Sequence, residues 1–202
     1  MTLWRGQERL ILASQSQARQ TLLANAGIEF EAVAAEIDER AVQQASGRTS
    51  PSEIAGLLAR EKARSVSIRR PGHFVVGADQ TLALGQDLFT KPAGRIQAAE
   101  QLRILSGRSH ELHSAVAVAR DGAISFEAVE MAVMTMRHLS GSEIEAYLDK
   151  AGAAITSSVG AYQLERIGVH LFERVEGDHF TILGLPLLQL LAFLRAEGML
   201  AW

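Results

Sequence analysis

The sequence predicts an α/β protein with a mixed β-sheet and helices on both faces of that sheet. Two observations carry this prediction. Short apolar runs alternate with segments of helical spacing through the first half of the chain. Further on, Asp121-Gly122 joins two long stretches, residues 111–119 and 123–136, that are rich in alternating or β-branched apolar positions. Alternation of strands and helices favours a layered fold, and the Asp-Gly hairpin adds antiparallel strands to it.

The first elements read as strand, loop, helix and strand. Residues 10–13 form a short apolar run, and residues 16–26 place apolar side chains on one helical face before Gly27 ends the helix. Residues 30–34 predict a second strand. The polar stretch 36–48 has no clear period, so we expect a mobile loop there.

The segment Ser50-Pro51-Ser52-Glu53 combines an N-cap serine, a proline in the first helical turn and a capping-box glutamate. This combination predicts a helix over residues 51–68. Residues 73–78 predict a buried strand that ends at Asp79. Short strands at 81–84 and 87–89 should follow it.

Four further elements complete the prediction. A helix follows the polar loop after Thr90, and Ser140 with Glu143 makes a second capping box that opens a helix ending near Gly152. Residues 169–175 predict a strand and residues 185–197 the final helix.

Composition limits the classes of function. A chain of 202 residues with 48% apolar residues predicts one globular domain over residues 1–202, and no repeat or linker divides it. The net charge of −3 and the lack of a basic block argue against a nucleic-acid partner. The absence of cysteine excludes disulfides and thiolate chemistry. Without an apolar leader or a membrane-length apolar stretch, the expected location is the cytoplasm.

Two short motifs are candidates for binding an anion and for acid–base chemistry. Residues 14–19 lie between the first strand and the first helix, where free backbone N–H groups and Arg19 suit a phosphate. Asp79 follows an apolar strand, where an acid can hold a divalent cation or accept a proton from water. The alternatives are a solvated Arg19 and a turn-forming Asp79.

Further charged residues extend the candidate site. Lys91-Pro92 offers a lysine to a phosphate oxygen, and Asp38-Glu39 with Glu61-Lys62 offers carboxylates to Mg²⁺ or Mn²⁺. Each of these is also compatible with an ordinary solvated surface. The histidines lack metal-ligand spacing, and His110 and His113 would point to opposite faces of a strand.

Taken together, these motifs resemble the Maf family of nucleotide pyrophosphatases. The resemblance spans residues 10–187 and rests on Leu12-Ala13-Ser14, Ser16, Arg19, Leu22-Leu23, Gly27, Asp38-Glu39, Glu61-Lys62-Ala63, Gly77-Ala78-Asp79, Lys91-Pro92, Leu105-Ser106-Gly107 and Gly184-Leu185-Pro186. It implies a fold similar to inosine triphosphate pyrophosphatases, with an elongated mixed sheet and two lobes around a nucleotide cleft. It also implies hydrolysis of a nucleoside triphosphate to monophosphate and pyrophosphate, and a possible homodimer.

The resemblance implies a role for each candidate residue. Asp79 would be the catalytic acid–base group. The substrate-binding residues would be Ser14, Arg19, Lys62 and Lys91. A divalent cation, Mg²⁺ or Mn²⁺, would lie near Glu39 and Asp79.

Three positions separate subgroups within the family. Gln80 and Glu165 resemble the subgroup of 7-methyl-GTP pyrophosphatases, and a carboxylate at position 165 suits the hydrogen-bond donors of a guanine. Ala18 departs from this resemblance, because members of that subgroup have a large aromatic residue at this position. On the basis of Gln80 and Glu165, nucleoside triphosphates with guanine-type bases are the expected substrates.

Two alternatives remain open. An aspartyl-phosphate phosphohydrolase would need a second Asp where Thr81 stands, which argues against that class. A non-catalytic nucleotide-binding regulator of septum formation or cell division is the alternative function that the Maf resemblance suggests.

Overall fold

The computed structural model describes residues 3–202, so Met1 and Thr2 of the predicted domain lie outside the described residues. The first half of this range contains four strands and four helices: β1 (Leu10–Leu12), α1 (Gln17–Asn25), β2 (Phe30–Ala32), α2 (Glu39–Ser46), α3 (Pro51–Arg69), β3 (Val75–Leu84), β4 (Asp87–Phe89) and α4 (Arg95–Leu105). The alternation of strands and helices confirms the predicted α/β class.

The second half contains the long hairpin and the last helices. Its elements are β5 (Ser109–Arg120), β6 (Ala123–Met136), α5 (Gly141–Ala151), β7 (Phe172–Glu176), α6 (His179–Ile182) and α7 (Leu187–Ala196), with 3₁₀ turns at Gly152–Thr156, Val159–Ala161 and Ile167–Leu171. Asp121 and Gly122 both have positive φ, 52° and 80°, as the predicted two-residue hairpin turn requires.

The seven strands form one mixed sheet in the order β2-β1-β3-β5-β6-β7, and β4 pairs with β3. The strands β2, β1 and β3 are parallel, and the other pairs are antiparallel. The two long strands β5 and β6 lengthen the sheet well beyond β1. The expected elongated mixed sheet is therefore present.

Side chains alternate between the two faces of this sheet, and both faces are covered by helices. On one face α3 packs closely on β5 through small residues, with Ala55, Ala59 and Ala63 in one cluster with three alanines of β5. Small residues let the helix backbone approach the sheet, so α3 lies directly against the central strands.

The opposite face carries two separate hydrophobic clusters, which define two lobes. The first lobe joins β1, α1 and α7 to one end of β3 and β5, with Leu12, Val76 and Leu190 in its core. The second lobe joins α4 and α5 to the other end of β3 and β5, with Leu82 and Leu102 in its core. The two clusters have no residue in common, and a cleft lies between them.

The structure corrects four local predictions. The expected loop at 36–48 contains α2, because the Asp38 carboxylate accepts a hydrogen bond from the Ala41 amide and Gly47 ends the helix with a φ of 65°. The signals for this helix were present, but its lack of buried residues hid the apolar period.

The other corrections concern strand ends and one cap. The strand predicted to end at Asp79 continues to Leu84, since β5 pairs with it as far as Ala83 and β4 pairs with its last residues. Residues 169–171 of the predicted strand 169–175 belong to a 3₁₀ turn. The capping box forms at Ser140, but the Ser50 side chain makes no capping bond and contacts Ser52 instead.

Among residues 3–202, none of the helices is both long and apolar enough to cross a bilayer.

Gly77 allows α3 to lie against β3, and its substitution should test how tightly the two elements are packed. A Cβ atom at Gly77 would lie 2.2 Å from the Ala59 carbonyl oxygen and 2.5 Å from the Ala63 nitrogen. We expect Gly77→Ala to lower the free energy of unfolding by about 3 kcal/mol, the upper end of overpacking effects, because backbone must move. Urea unfolding measures the change.

The matched control is Gly141→Ala, since a Cβ atom there would meet nothing within 4 Å. Its unfolding free energy should stay within about 0.5 kcal/mol of the unsubstituted protein. Equal unfolding free energies for both variants would contradict the tight contact.

Candidate active site

The site lies along a stretch of β3 that has no neighbouring strand on one side. Among the described residues, β1 pairs with β3 only as far as Val76, and β4 pairs with it only from Leu82 onwards. The backbone between these points is open on that side. The Arg19 guanidinium satisfies part of it, since Nη1 donates a hydrogen bond of 2.8 Å to the Ala78 carbonyl.

Asp79 lies in the middle of this open stretch and points to the α3 face. Lys62 of α3 donates a hydrogen bond of 2.6 Å to Asp79 Oδ1, and both side chains are buried. The same ammonium lies 2.8 Å from Glu39 Oε1 at the start of α2. Two carboxylates therefore share one lysine at the edge of the cleft.

The surroundings of Asp79 act on its pKa in opposite directions. Burial raises the pKa of the Asp79 carboxyl, while the positive charges of Lys62 and Arg19 lower it. Burial wins, and the pKa lies above its usual value. A carboxylate with a raised pKa is a better proton acceptor than an ordinary exposed one.

Arg19 is held from three sides. Its Nε donates to the Gly184 carbonyl at 2.7 Å, and its Nη1 donates to the Ser14 hydroxyl at 3.2 Å as well as to Ala78. Burial lowers the pKa of Arg19, opposed by Asp79 and Glu39, but a guanidinium stays charged at neutral pH. These contacts join the β1–α1 loop to β3 and to the turn after α6.

The helix α1 starts beside Ser14 with its N-terminus available to an anion. Ser16 occupies the N-cap position, but its side chain makes no capping hydrogen bond. Backbone N–H groups of the first turn are therefore open to a ligand.

The cleft between the lobes has a volume of about 880 Å³ and brings all the predicted site residues together. This volume accommodates a nucleotide-sized molecule. The predicted residues that line it are Ser14, Ala18, Arg19, Glu39, Lys62, Asp79, Gln80, Lys91 and Glu165. Residues far apart in the sequence thus converge on one cleft.

Gln80 points to the face opposite Asp79 and is held by hydrogen bonds. Its Nε2 lies 2.9 Å from Ser114 Oγ, 3.2 Å from the Thr181 carbonyl and 3.0 Å from the Ile182 carbonyl. This side chain therefore ties β3 to α6 as well as lining the cleft.

Sequence reasoning missed one wall of the cleft. Residues 157–165, here called the wall segment, follow α5 and contribute Ser157, Val159, Tyr162 and Leu164 besides Glu165. The irregular backbone here offers no apolar period, so no element was predicted between the helix that ends near Gly152 and the strand at 169–175. Ser114 and Thr181 were missed as well, because buried polar residues in a strand or short helix carry no motif.

Two carboxylates of the cleft, Glu39 and Asp79, are acidic groups available to a divalent cation. Within residues 3–202, no group of three or more Asp, Glu or His side chains is arranged to hold a metal by itself. Glu39 and Asp79 supply two carboxylates, now bridged by Lys62. Mg²⁺ commonly takes one or two carboxylates and completes its shell with water and substrate phosphate.

The chain matches the family described as Maf-like protein over residues 9–197. It belongs to the Maf family. This confirms the family that the motifs indicated, and the match extends over almost the whole chain. The matched range includes the motifs Gly77-Ala78-Asp79 and Lys91-Pro92.

Curated relatives match this Maf protein along its whole length. A nucleoside triphosphate pyrophosphatase from Bradyrhizobium diazoefficiens is 67% identical over 201 residues, covering 100% of both chains. A 7-methyl-GTP pyrophosphatase from Brucella abortus is 50% identical over 192 residues, covering 94% of this chain and 96% of its own.

Solved structures give a weaker comparison. A HAM1 protein from Coxiella burnetii is 18% identical, covers 63% of this chain and 72% of its own, and has a TM-score of 0.43.

Removing the shared lysine should raise the Asp79 pKa. In Lys62→Met the positive charge and the hydrogen bond to Oδ1 are both lost, while the burial remains. We expect the pKa of the Asp79 carboxyl, followed by carbon-detected NMR during a pH titration, to rise above that of the unsubstituted protein.

Arg60→Met is the matched control on the same helix, because Arg60 pairs with the exposed Glu127 at 2.9 Å. The Asp79 pKa should be unchanged in this variant. An Asp79 pKa that Lys62→Met leaves unchanged would contradict the electrostatic coupling of the pair.

Proposed function

We propose that this Maf protein hydrolyses a nucleoside triphosphate to the monophosphate and pyrophosphate. The observation that carries the proposal is a buried carboxylate of raised pKa, Asp79, between the cations Lys62 and Arg19 in a nucleotide-sized cleft. The chain is a hydrolase of a family whose full-length relatives are named nucleoside triphosphate pyrophosphatases.

Asp79 is the group that accepts the proton of the attacking water. The oxygen of water bonds to the α-phosphorus, the bond from that phosphorus to the bridging oxygen breaks, and pyrophosphate leaves with the electron pair. Lys62 engages Oδ1, and among residues 3–202 Oδ2 has no hydrogen-bond partner. Oδ2 is therefore the oxygen that receives the proton.

Arg19 and Lys91 balance the charge that develops on pyrophosphate. The contacts of Arg19 use Nε and Nη1, and within the described chain Nη2 donates no hydrogen bond. This leaves one guanidinium nitrogen for a phosphate oxygen, held in place before the substrate arrives. Lys91, Ser14 and the start of α1 complete the phosphate end of the cleft.

Glu39 and Asp79 would hold Mg²⁺ or Mn²⁺, which would neutralise phosphate charge when bound. Lys62 must then release one or both carboxylates, because its ammonium lies between them. The chain's own contribution is to keep these two acids close together and partly buried.

The base end of the cleft favours a guanine-type base such as 7-methylguanine. Glu165 lines the cleft in the wall segment, and a carboxylate accepts hydrogen bonds from N1–H and N2–H₂ of guanine. The Brucella abortus relative, named a 7-methyl-GTP pyrophosphatase, supports this preference. Ala18 offers no aromatic ring for stacking on the base, so Glu165 is the residue that distinguishes guanine-type bases from the others.

Asp79→Asn should abolish turnover and leave nucleotide binding largely intact. An amide of nearly the same shape cannot accept the proton, so kcat should fall by about 10²- to 10⁴-fold. The assay is pyrophosphate release with Mg²⁺ or Mn²⁺ over GTP, 7-methyl-GTP, UTP, dTTP and CTP.

Asp87→Asn, at the exposed start of β4, serves as the control and should retain full activity. Unchanged turnover in Asp79→Asn would contradict the role of Asp79 as the proton acceptor. Nucleotide binding without pyrophosphate release by the unsubstituted protein would favour the non-catalytic regulator instead.

Glu165→Gln should change base preference more than rate. Since the amide also presents a donor, a uracil carbonyl is no longer repelled, and the ratio of kcat/KM for GTP to that for UTP should fall about tenfold. Glu173→Gln, on the exposed strand β7, is the control and should keep the ratio. A Glu165→Gln ratio equal to that of the unsubstituted protein would remove Glu165 from base recognition.

A further inference from the structure

A buried histidine lies behind the wall segment. His110 is 1% exposed in the core of the second lobe, and a hydrogen bond of 2.7 Å joins its Nε2 to the Tyr162 hydroxyl. Burial lowers the pKa of His110 to about 4, so the ring is neutral at neutral pH. None of the chemistry assigned above uses this side chain, and it does not line the cleft.

Core packing alone does not account for a histidine at this position. Its Nδ1 is buried and has no hydrogen-bond partner among residues 3–202. A buried polar atom without a partner costs stability, and a phenylalanine of similar size would avoid that cost. The polar ring of His110 therefore has one use among the described residues, the hydrogen bond to the Tyr162 hydroxyl.

Tyr162 belongs to the wall segment and lines the cleft. Its ring packs edge-on against Phe172, with centroids 4.7 Å apart, and lies 5.7 Å from the His110 ring. Burial raises the pKa of the Tyr162 hydroxyl, which keeps it protonated. Tyr162 is therefore fixed at both its ring and its hydroxyl.

The backbone next to Tyr162 is strained and needs such support. Ala161 has a φ of 61°, which a residue with a side chain adopts only when its surroundings hold it there. Tyr147 of α5 donates a hydrogen bond of 3.0 Å to the Ala161 carbonyl. His110 and Tyr147 thus hold adjacent residues of the wall segment from the same core.

Charge indicates which part of a nucleotide meets this wall. The cations that line the cleft are Arg19, Arg40, Lys62 and Lys91, whereas the wall segment contains no Lys or Arg and carries the acid Glu165. A triphosphate is attracted to the cations and repelled by Glu165. The base and sugar therefore lie against the wall segment.

We propose that His110 is a positioning residue for base recognition, acting through its hydrogen bond to Tyr162 to hold the wall segment, and with it Glu165, against the nucleobase. This inference rests on the proposed function for the identity of the ligand. His110 does not touch the substrate. Its effect falls on binding and base preference and leaves the chemistry at Asp79 unchanged.

The test compares His110→Phe, Tyr162→Phe and the double variant with the unsubstituted protein. Each single change removes the one hydrogen bond and keeps a ring of similar size. We expect KM for GTP to rise about three- to tenfold, with kcat within about twofold, since the lost interaction is made equally in ground and transition states. The preference for GTP over UTP should shrink, and the double variant should match either single variant.

Two further variants separate positioning from packing. His113→Phe makes the same change on the opposite face of β5, where His113 contacts Glu111 at 2.9 Å, and should keep KM and base preference. His110→Gln restores a polar partner for Tyr162 and should recover at least part of the GTP affinity. Thermal melting identifies any variant that does not fold. If His110→Phe does not fold, Tyr162→Phe decides the question, because it removes the same hydrogen bond by changing the other partner.

The dissociation constant for GTP, measured by calorimetry with Asp79→Asn added to each variant so that GTP is not hydrolysed, provides a readout that needs no turnover and should rise by the same factor as KM. Folded His110→Phe or Tyr162→Phe with unchanged GTP affinity and base preference would overturn the inference while leaving the proposed function intact. Absence of pyrophosphate release by the unsubstituted protein would overturn the proposed function, and the calorimetric comparison would still test His110.

Discussion

The ion pair of Lys62 and Asp79 is the contact on which the arrangement of the site depends. Removing Lys62 would take from the buried Asp79 carboxylate its one hydrogen-bonded cation, which is unfavourable. The pair forms because α3 lies unusually close to β3, and Gly77 allows that approach since a Cβ atom there would collide with the helix backbone. The packing of small residues and the placement of Asp79 are therefore one structural feature.

The open stretch of β3 explains where the cleft lies. Unpaired backbone in a sheet needs hydrogen-bond partners, and Arg19 supplies one to the Ala78 carbonyl. The same side chain reaches Ser14 and Gly184, so it connects the β1–α1 loop with the turn after α6. A structural need of the sheet thus fixes a cation in the cleft.

Each of the two hydrophobic clusters supports a different part of the cleft. The first cluster supports the β1–α1 loop and the start of α1, and the second supports the wall segment. Gln80 and Ser114 lie between the clusters on the same face and bind the α6 turn. Polar residues in the middle of β3 and β5 keep the two apolar cores apart, and the cleft opens there.

The sequence by itself determined the fold class, the long hairpin, the capped helix after Ser140 and the family, because each rests on local spacing or on a motif. It also pointed to residues far apart in the chain, from Ser14 to Glu165, that line one cleft, and the roles that the resemblance implies for them stay predictions. The tertiary structure decided that Asp79 lies within a strand, since pairing with β5 overrides the local turn signal. It alone showed α2, which has no buried face, and the wall segment with His110, because contacts between distant parts of the chain leave no periodic pattern in the sequence.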